Sequence, residues 1–158
     1  INDIKSLGVG VLKNNYIELI KDDESINLYE IDIPLDGPTG LYVSSGQLDD
    51  KYINDNLDEV DKNKFNILLV HNLLFIEEYS DWVADSVLSG HMLGGIIRIP
   101  IIGVGIASPE GNYFPKYDAG EFKVGNTTMI VNRGIGASSG GLRVFNKPEI
   151  SVITLKSK

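Results

Sequence analysis

The chain has 158 residues, of which 42% are hydrophobic and 23% charged, a composition typical of one soluble domain with a substantial core. It contains no cysteine, so disulfides, thiolate metal ligands and cysteine nucleophiles are excluded. The formal net charge of −8 repels phosphate backbones, so we expect no nucleic-acid partner and no polybasic attachment to anionic lipid.

Membrane and export signals are missing from the sequence pattern. The apolar run 96–107 is interrupted by Arg98, Pro100 and two glycines, so it is shorter than the roughly 18 to 20 apolar residues that a membrane helix requires. No basic-then-apolar signal opens the chain. We therefore predict no transmembrane segment, and we expect a soluble protein of the cytoplasm.

The first part of the chain predicts two strands followed by a loop and a helix. Residues 8–20 and 26–34 have the composition of strands, and the polar segment 21–25 between them predicts a turn. Residues 35–50 are rich in Gly, Ser and Pro and predict a loop. Residues 49–61 carry apolar side chains at helical spacing, with acidic residues on the other face.

Strands dominate the remainder. Residues 64–71 form a continuous apolar run, as in a strand buried on both faces, and 74–91 predicts a short helix followed by a strand. Further strands, punctuated by glycine, are predicted at 95–106, 127–136, 142–146 and 149–156. The pattern indicates one mixed α/β domain over 1–158, rich in strands, with about two short helices.

His71 and His91 are the only histidines, and each follows an apolar strand-like run. Loops beyond the carboxyl ends of sheet strands gather functional groups in α/β proteins, and a neutral imidazole can bind a metal. Taken singly, each histidine could equally be a turn residue that bonds to backbone groups. Their comparable positions favour a shared metal site.

Three stretches resemble a known family: "NILLVHN" at 66–72, "ADSVLSGHMLGGIIRIP" at 84–100, and the Gly-, Arg- and Pro-Glu-containing segment 117–155. Together they are similar to the C-terminal half of calcineurin-like metallophosphoesterases. Within that family they resemble the bacterial branch with membrane-associated and lipid-directed phosphohydrolases. The resemblance runs from about Ile4 to Leu155. It implies the strand-rich C-terminal half of an αββα sandwich, in which two mixed sheets pack face to face.

The resemblance also implies a site. Family members hold two divalent metals, such as Mn, Zn or Fe, and a metal-bound hydroxide attacks phosphorus. His71 matches the family's strand-end histidine, and His91 matches the first histidine of its Gly-His-x-His motif. In the family these two histidines serve the same metal. Arg143 follows a glycine-serine loop that lies near the family's cleft, so it is a candidate phosphate contact, as are Arg98 and Arg133.

Several positions depart from the family's pattern. Leu93 stands where the second histidine of Gly-His-x-His is expected, and leucine cannot bind a metal. Leu73, Ile96 and Ile33 replace a proline, a glutamine and an acid. A buried polar group without a partner costs about 1–3 kcal/mol, so apolar residues suit a cleft that holds no ions. We therefore expect these four positions, which line the active-site cleft in the family, to belong here to the core or to an interface.

The family's Asp-x-His, Gly-Asp and Gly-Asn-His motifs have no counterpart in 1–158, so we expect the N-terminal metal-binding half to be lacking. Asp32, Asp36, Asp49 and Asp85 could add a carboxylate to a weak mononuclear site. If only half of the αββα sandwich is present, the face of its sheet that would pack against the second sheet is exposed to solvent. We expect a homodimer, or a complementary N-terminal segment, to cover that face.

Three functions are consistent with these residues. The first is a phosphohydrolase-derived domain with an incomplete dinuclear site, catalytically inactive and serving a structural or interaction role. The second is a metal-dependent phosphoesterase that acts on phosphate ester or pyrophosphate bonds once a missing segment or chain completes it. The third is a mononuclear metal-binding module. Leu93 favours the first, and we expect no metal to be required for it. Trp82 is expected to anchor the short helix rather than stack on a ligand.

Overall fold

One six-stranded mixed sheet organises the computed structural model. The structure describes residues 2–33, 43–44, 47–48, 51–109, 113–137 and 141–156. Within them the helices are α1 (Asn2–Ser6), α2 (Tyr52–Asn56) and α3 (Ile76–Asp81), and the strands are β1 (Asn15–Lys21), β2 (Glu24–Ile31), β3 (Val43–Ser44), β4 (Gln47–Leu48), β5 (Phe65–Val70), β6 (Ser86–Ser89), β7 (Gly120–Val124) and β8 (Thr127–Val131). The strand order of the main sheet is β1-β2-β5-β6-β8-β7, and β3 pairs with β4 separately. These elements confirm the predicted α/β class.

The chain enters the sheet through a tight hairpin. Asp22 and Asp23 adopt φ angles of 50° and 66°, and Lys21 pairs with Glu24, so the turn is the two-residue type that matches strand twist. The predicted polar turn is therefore confirmed. The predicted start of the first strand at residue 8 is wrong, because β1 begins only at Asn15. Asn14, at φ 45°, breaks the extended backbone just before it.

Four strands at the centre of the sheet run parallel. β2 pairs in parallel with β5, β5 with β6, and β6 with β8, while β1 and β7 are antiparallel edge strands. The helix α2 lies between β2 and β5 in the chain, and α3 lies between β5 and β6, as crossover connections require. The apolar run at 64–71 thus lies at the centre of the sheet, as β5 between two parallel neighbours.

The core lies on one face of the sheet, under the helices. Tyr29, Leu68, Val87 and Met129, one residue from each central strand, are at most 1% exposed and belong to this core. Trp82 is buried at the C-terminus of α3 and contacts Tyr29 edge to face, with ring centroids 4.9 Å apart. The prediction that this tryptophan anchors the helix is confirmed.

The later predicted strands are only partly confirmed. Residues 95–106 and 142–146 contribute isolated bridges, Ile97 with Val144 and Arg98 with Gly105, rather than ladders. Residues 149–156 contain no strand within their described part, because their alternating apolar side chains find no partner strand there. The sequence pattern did not predict α1 or β7, nor the two short strands β3 and β4 within the predicted loop 35–50. No helix in the described part of the chain is long and apolar enough to span a membrane.

Candidate metal centre at the carboxyl edge of the sheet

The carboxyl ends of the four parallel strands meet at one edge of the sheet. Ile31 of β2 pairs with Val70 of β5, Val70 with Ser89 of β6, and Ser89 with Val131 of β8. The residues that follow these strands are therefore brought together, as is usual for functional sites in parallel sheets. Those residues are Asp32, His71, Gly90, His91 and Asn132.

The two histidines are in direct contact at this edge. His91 Nδ1 lies 3.0 Å from His71 Nε2, and the ring centroids are 4.8 Å apart with the planes at 74°. One ring can donate an N–H to the unprotonated nitrogen of the other, so the contact is a hydrogen bond between two imidazoles. The two side chains are 20 residues apart in sequence, so the strand alignment alone brings them together.

The environment of His71 favours its neutral form. Partial burial lowers the pKa of His71, and a positive charge on the neighbouring His91 would lower it further. Only a neutral imidazole offers a lone pair to a metal, so the lowered pKa keeps His71 ready to bind an ion over more of the physiological range.

Hydrogen bonds fix the backbone on either side of His71. The Ser89 hydroxyl donates to the His71 carbonyl oxygen at 3.0 Å, and the Tyr79 hydroxyl donates to the Asn72 carbonyl oxygen at 2.8 Å. Tyr79 is fully buried, and that burial raises the pKa of its hydroxyl well above its usual range, so it remains a donor. The imidazole of His71 therefore projects from a rigid support.

The loop that carries His91 has an unusual backbone. Between residues 91 and 96, His91, Leu93 and Ile96 have φ angles of 67°, 50° and 42°, and both glycines of the segment are also positive. A left-handed conformation is rare for any residue with a Cβ, and most of all for a β-branched one such as Ile96. Each such position costs about 1–3 kcal/mol and persists only where the surroundings enforce it.

Side chains from distant parts of the chain enforce this conformation. Asn146 Nδ2 donates to the carbonyl oxygens of Leu93 at 2.6 Å and of Ile96 at 3.3 Å. Arg98 Nη1 donates to the Gly94 carbonyl oxygen at 2.7 Å. These bonds satisfy the inward-facing carbonyl groups of the turn, so the loop presents His91 from one defined position.

Close backbone packing explains the two glycines of the loop. A Cβ on Gly94 would lie 2.6 Å from Cγ of Arg133, and a Cβ on Gly95 would lie 2.5 Å from Cα of Gly105. The first contact is with a flexible side chain, but the second is with backbone that cannot move aside. The residues 94 and 95 thus let the histidine loop lie directly against the segment at 105.

The three candidate arginines are engaged by the protein itself. Arg98 forms an ion pair with Asp118 at 3.0 Å, and Arg133 pairs with Glu149, with Nη2 and Oε2 2.5 Å apart. Arg143 donates from Nε to the Gly136 carbonyl oxygen at 2.6 Å, and from Nη2 to the carbonyl oxygens of residues 133 and 134. All three brace the loops beyond the sheet edge, and the assignment of Arg143 to a phosphate stays a prediction.

The apolar replacements divide into two groups. Ile33 and Leu73 are 6% and 0% exposed and belong to the core cluster. Leu93 and Ile96 are only half-buried and lie in the left-handed segment of the histidine loop. Both have a left-handed backbone conformation that leucine and isoleucine adopt only at a cost.

Of the carboxylates considered as extra ligands, the structure describes Asp32 and Asp85. Asp85 lies at the amino end of β6, and its Oδ2 accepts a bond from the Asn66 N–H at 2.8 Å, so it is wrong as a partner of the histidines. Asp32 follows β2 at the correct edge and is exposed. Asp36 and Asp49 lie outside the described residues. No group of three or more His, Cys, Asp or Glu placed to hold a metal exists among the residues that the structure describes.

The two histidine nitrogens are spaced like two of the four ligands of one tetrahedral metal ion. Ligand nitrogens about 2.0–2.1 Å from a tetrahedral ion lie roughly 3.3–3.4 Å apart, close to the 3.0 Å between His71 Nε2 and His91 Nδ1. A structural or catalytic zinc site needs at least three protein ligands. The described residues therefore fit part of a mononuclear site and do not fit a dinuclear one.

Sequence reasoning missed the residues that shape the histidine loop. Asn146 is 4% exposed and lies 53 positions from Leu93, the residue whose carbonyl it binds. No local pattern marks an asparagine in such a role. The adjacent pair Gly94 and Gly95 was the available signal, because consecutive glycines often mark close backbone approach.

Comparison with known proteins gives three relatives. The chain is 36% identical over 123 residues to the uncharacterized metallophosphoesterase YkuE of Bacillus subtilis, covering 75% of this chain and 42% of that protein. It is 34% identical over 89 residues to the phosphodiesterase YaeI of Escherichia coli, covering 56% of this chain and 32% of that protein. It is 32% identical over 99 residues to the uncharacterized protein YpbG of B. subtilis, covering 61% and 34%.

The matched region thus spans about a third to two fifths of the length of these curated relatives. No family model and no solved structure matches the chain.

Proposed function

Because this chain belongs to the calcineurin-like metallophosphoesterase family, we propose that His71 and His91 are two ligands of a residual metal site of the phosphoesterase type. The observation that carries this proposal is the 3.0 Å contact between His91 Nδ1 and His71 Nε2 at the carboxyl edge of the sheet. A divalent ion bound there would supply Lewis-acid chemistry to a phosphate ester. The chain's own part is to orient the two imidazoles.

We further propose that this site is too incomplete for efficient hydrolysis. Leu93 stands in the place of the second histidine of the Gly-His-x-His motif, and its side chain has no atom that can bind a metal. Affinity for an ion falls with each missing ligand, so we expect one ion to bind weakly rather than two tightly. This supports a structural or interaction role, with phosphoesterase ancestry.

Titration calorimetry with Zn²⁺ and Mn²⁺ tests the site. The expected result is weak binding of one ion by the native chain and no binding by His71→Ala or His91→Ala. Asp85→Asn is the matched control, because Asp85 lies at the opposite edge of the sheet and an asparagine oxygen can still accept the Asn66 bond. Binding that survives both histidine substitutions would contradict the proposal, as would tight binding of two ions.

The interaction role rests on the face of the sheet opposite the helices, which we call the open face. Its side chains alternate with the core residues along each strand, and those on β1 and at the start of β5 are more than 40% exposed. No helix in the described part of the chain packs on it. The open face is formed by Ile17, Leu19, Ile26, Leu28, Phe65, Leu69, Leu88 and Ile130.

We propose that a second layer of protein covers the open face. These eight apolar side chains span five strands, and they share the face with charged residues such as Glu30, which pairs with Leu69. An apolar patch of that extent is unusual on a monomer. More than half of the YkuE sequence lies outside the region that matches this chain. A protein as long as YkuE therefore has enough additional residues to form such a layer. When the chain is alone, we expect a second copy of it to take that place.

Sedimentation equilibrium tests this interface. We expect the native chain to dimerise, and Leu19→Lys to shift it to monomer by placing a charge on the open face. Ile20→Lys is the control, because Ile20 is 70% exposed on the other side of the same strand. A native chain that stays monomeric and binds no hydrophobic dye would contradict the proposal, as would equal effects of the two substitutions.

A further inference from the structure

The segment 150–156, which we call the tail, begins at the carboxyl edge of the sheet and is held there by side chains. Just before the tail, Arg133 Nε donates to Glu149 Oε2 at 2.7 Å. Asn132 Nδ2 donates to the hydroxyl oxygen of Ser151 at 2.6 Å. Asn132 directly follows β8, so the tail starts beside the carboxyl ends of the parallel strands.

The end of the tail lies at the opposite edge of the sheet, against the open face. Leu155 and Lys156 border two clefts, of about 480 Å³ and about 660 Å³. The other walls of these clefts include three side chains of the open face, Leu19, Ile26 and Phe65. Ile26 and Phe65 pair with each other near the amino ends of β2 and β5. The tail therefore crosses the open face from the carboxyl edge of the sheet to its amino edge.

The exposure of the tail's side chains agrees with this course. Ile153 and Leu155 are 41% and 45% exposed, whereas Ile150 and Val152 are 81% and 90% exposed. Alternate side chains of an extended segment point to opposite sides. One side of the tail therefore faces the sheet, and the other side faces solvent.

The centre of the open face is more deeply buried than its rim. Ile67 pairs with Leu28, which places it on the open face, and it is 6% exposed. It does not belong to the core cluster under the helices. Phe65, two residues earlier on the same strand and the same face, is 41% exposed. A cover over the middle of the open face, which the path of the tail provides, accounts for this difference.

The tail lies on the open face without being packed tightly against it. Within the described residues, no backbone group of 150–156 forms a hydrogen bond with another backbone group. Protein interiors leave few voids larger than a water molecule, so the two clefts beside Leu155 indicate a loose contact. The tail is therefore held to the face by a few side chains, and it can leave the face without breaking a ladder of backbone bonds.

We propose that the tail is a displaceable cover of the open face, which leaves the face when a second copy of the chain docks there. The tail and the second copy compete, because the same apolar side chains cannot contact both at once. The apparent affinity of a partner falls with the fraction of chains whose binding surface is free, so the tail weakens association. This inference rests on the interface proposed above, but the position of the tail is measured separately.

Crosslinking locates the tail. The chain has no cysteine, so a short bismaleimide joins only cysteines that are introduced in pairs. Ile26→Cys with Leu155→Cys should be joined within one chain, because both side chains border both clefts. The control pair is Val83→Cys with Leu155→Cys, since Val83 is 44% exposed beside α3, and it should be joined much more slowly. Equal rates for the two pairs would overturn the position of the tail.

Matched substitutions on the two sides of the tail test the competition. Ile153→Ser with Leu155→Ser removes the side that faces the sheet. It should increase the binding of a hydrophobic dye, and it should raise the dimer association constant by at least about tenfold. Ile150→Ser with Val152→Ser removes the side that faces solvent and should leave both quantities unchanged. Thermal unfolding should show that both double variants fold, because the tail belongs to no helix or strand.

Three further results would overturn the inference. Equal dye binding by the two double variants would show that the tail covers no apolar surface. Weaker association of Ile153→Ser with Leu155→Ser than of the native chain would make the tail part of the interface. A chain whose tail is crosslinked to position 26 and that still associates as well as the native chain would exclude competition. If the crosslinking and dye results are as expected but no variant associates, the tail is a cover, and the interface with a second copy is contradicted instead.

Discussion

Replacing Leu93 with histidine should tighten binding of Zn²⁺ by at least about tenfold, equivalent to about 1.4 kcal/mol. The new imidazole would stand two residues after His91, in the place of the second histidine of the Gly-His-x-His motif that this stretch resembles, where we expect it to reach the same ion. The backbone is already suited to it, because Leu93 has a φ of 50° and histidine tolerates that region better than leucine does. The substitution therefore adds a metal ligand while the backbone of the loop keeps its conformation.

Calorimetry on Leu93→His and on Leu93→Phe measures this effect. Phenylalanine has a ring of comparable size without a ligand atom, so Leu93→Phe should bind Zn²⁺ no better than the native chain. Adding His71→Ala to Leu93→His should remove most of the gain, because the three imidazoles then no longer share an ion. An unchanged affinity in Leu93→His would mean that position 93 does not face the histidine pair.

Replacing Gly95 with alanine should destabilise the chain by about 2–4 kcal/mol. Part of this cost is the left-handed backbone, at φ 74°, which an L-residue adopts at a cost of about 1–2 kcal/mol. The rest is steric, because the new Cβ would lie 2.5 Å from Cα of Gly105. Overpacking of that kind typically costs about 1–3 kcal/mol.

Urea unfolding of Gly95→Ala measures the loss of stability. Gly10→Ala is the control, since Gly10 has open space around it and is free of the left-handed constraint, and its effect should stay within about 0.5 kcal/mol. A Gly95→Ala variant that is as stable as the native chain would show that the loop and the segment at Gly105 are not packed as the structure has them. Because the same packing supports His91, we also expect Gly95→Ala to weaken metal binding.

The fold was predictable where one physical pattern dominates. The central strand β5 lies in the continuous apolar run at 64–71, and the polar turn at Asp22 and Asp23 separates β1 from β2. The segment 149–156 alternates as a strand should, yet it has no strand partner in the described part of the chain. Alternating apolar and polar residues indicate that a strand would have one buried face and one exposed face. They do not provide the neighbouring strand with which its backbone must form hydrogen bonds.

The sequence was sufficient to identify which residues form the candidate site, but it did not predict their three-dimensional arrangement. The two histidines were marked by their positions after apolar runs, because parallel strands end at one edge. The inverted backbone from His91 to Ile96 was not foreseeable, since leucine and isoleucine oppose it. Long-range contacts from Asn146 and Arg98 impose it. Likewise, only the tertiary structure shows that Asp85 lies at the opposite edge of the sheet.

The most direct test of the central claim is a long-range ¹H–¹⁵N correlation spectrum of the histidine rings during a Zn²⁺ titration. The chain has only two histidines, so its imidazole signals are few and can be assigned with the two alanine variants. We expect Nε2 of His71 and Nδ1 of His91 to shift together along one binding curve that fits a single metal ion per chain. Shifts in one ring alone, or in neither, would mean that the two histidines do not share an ion.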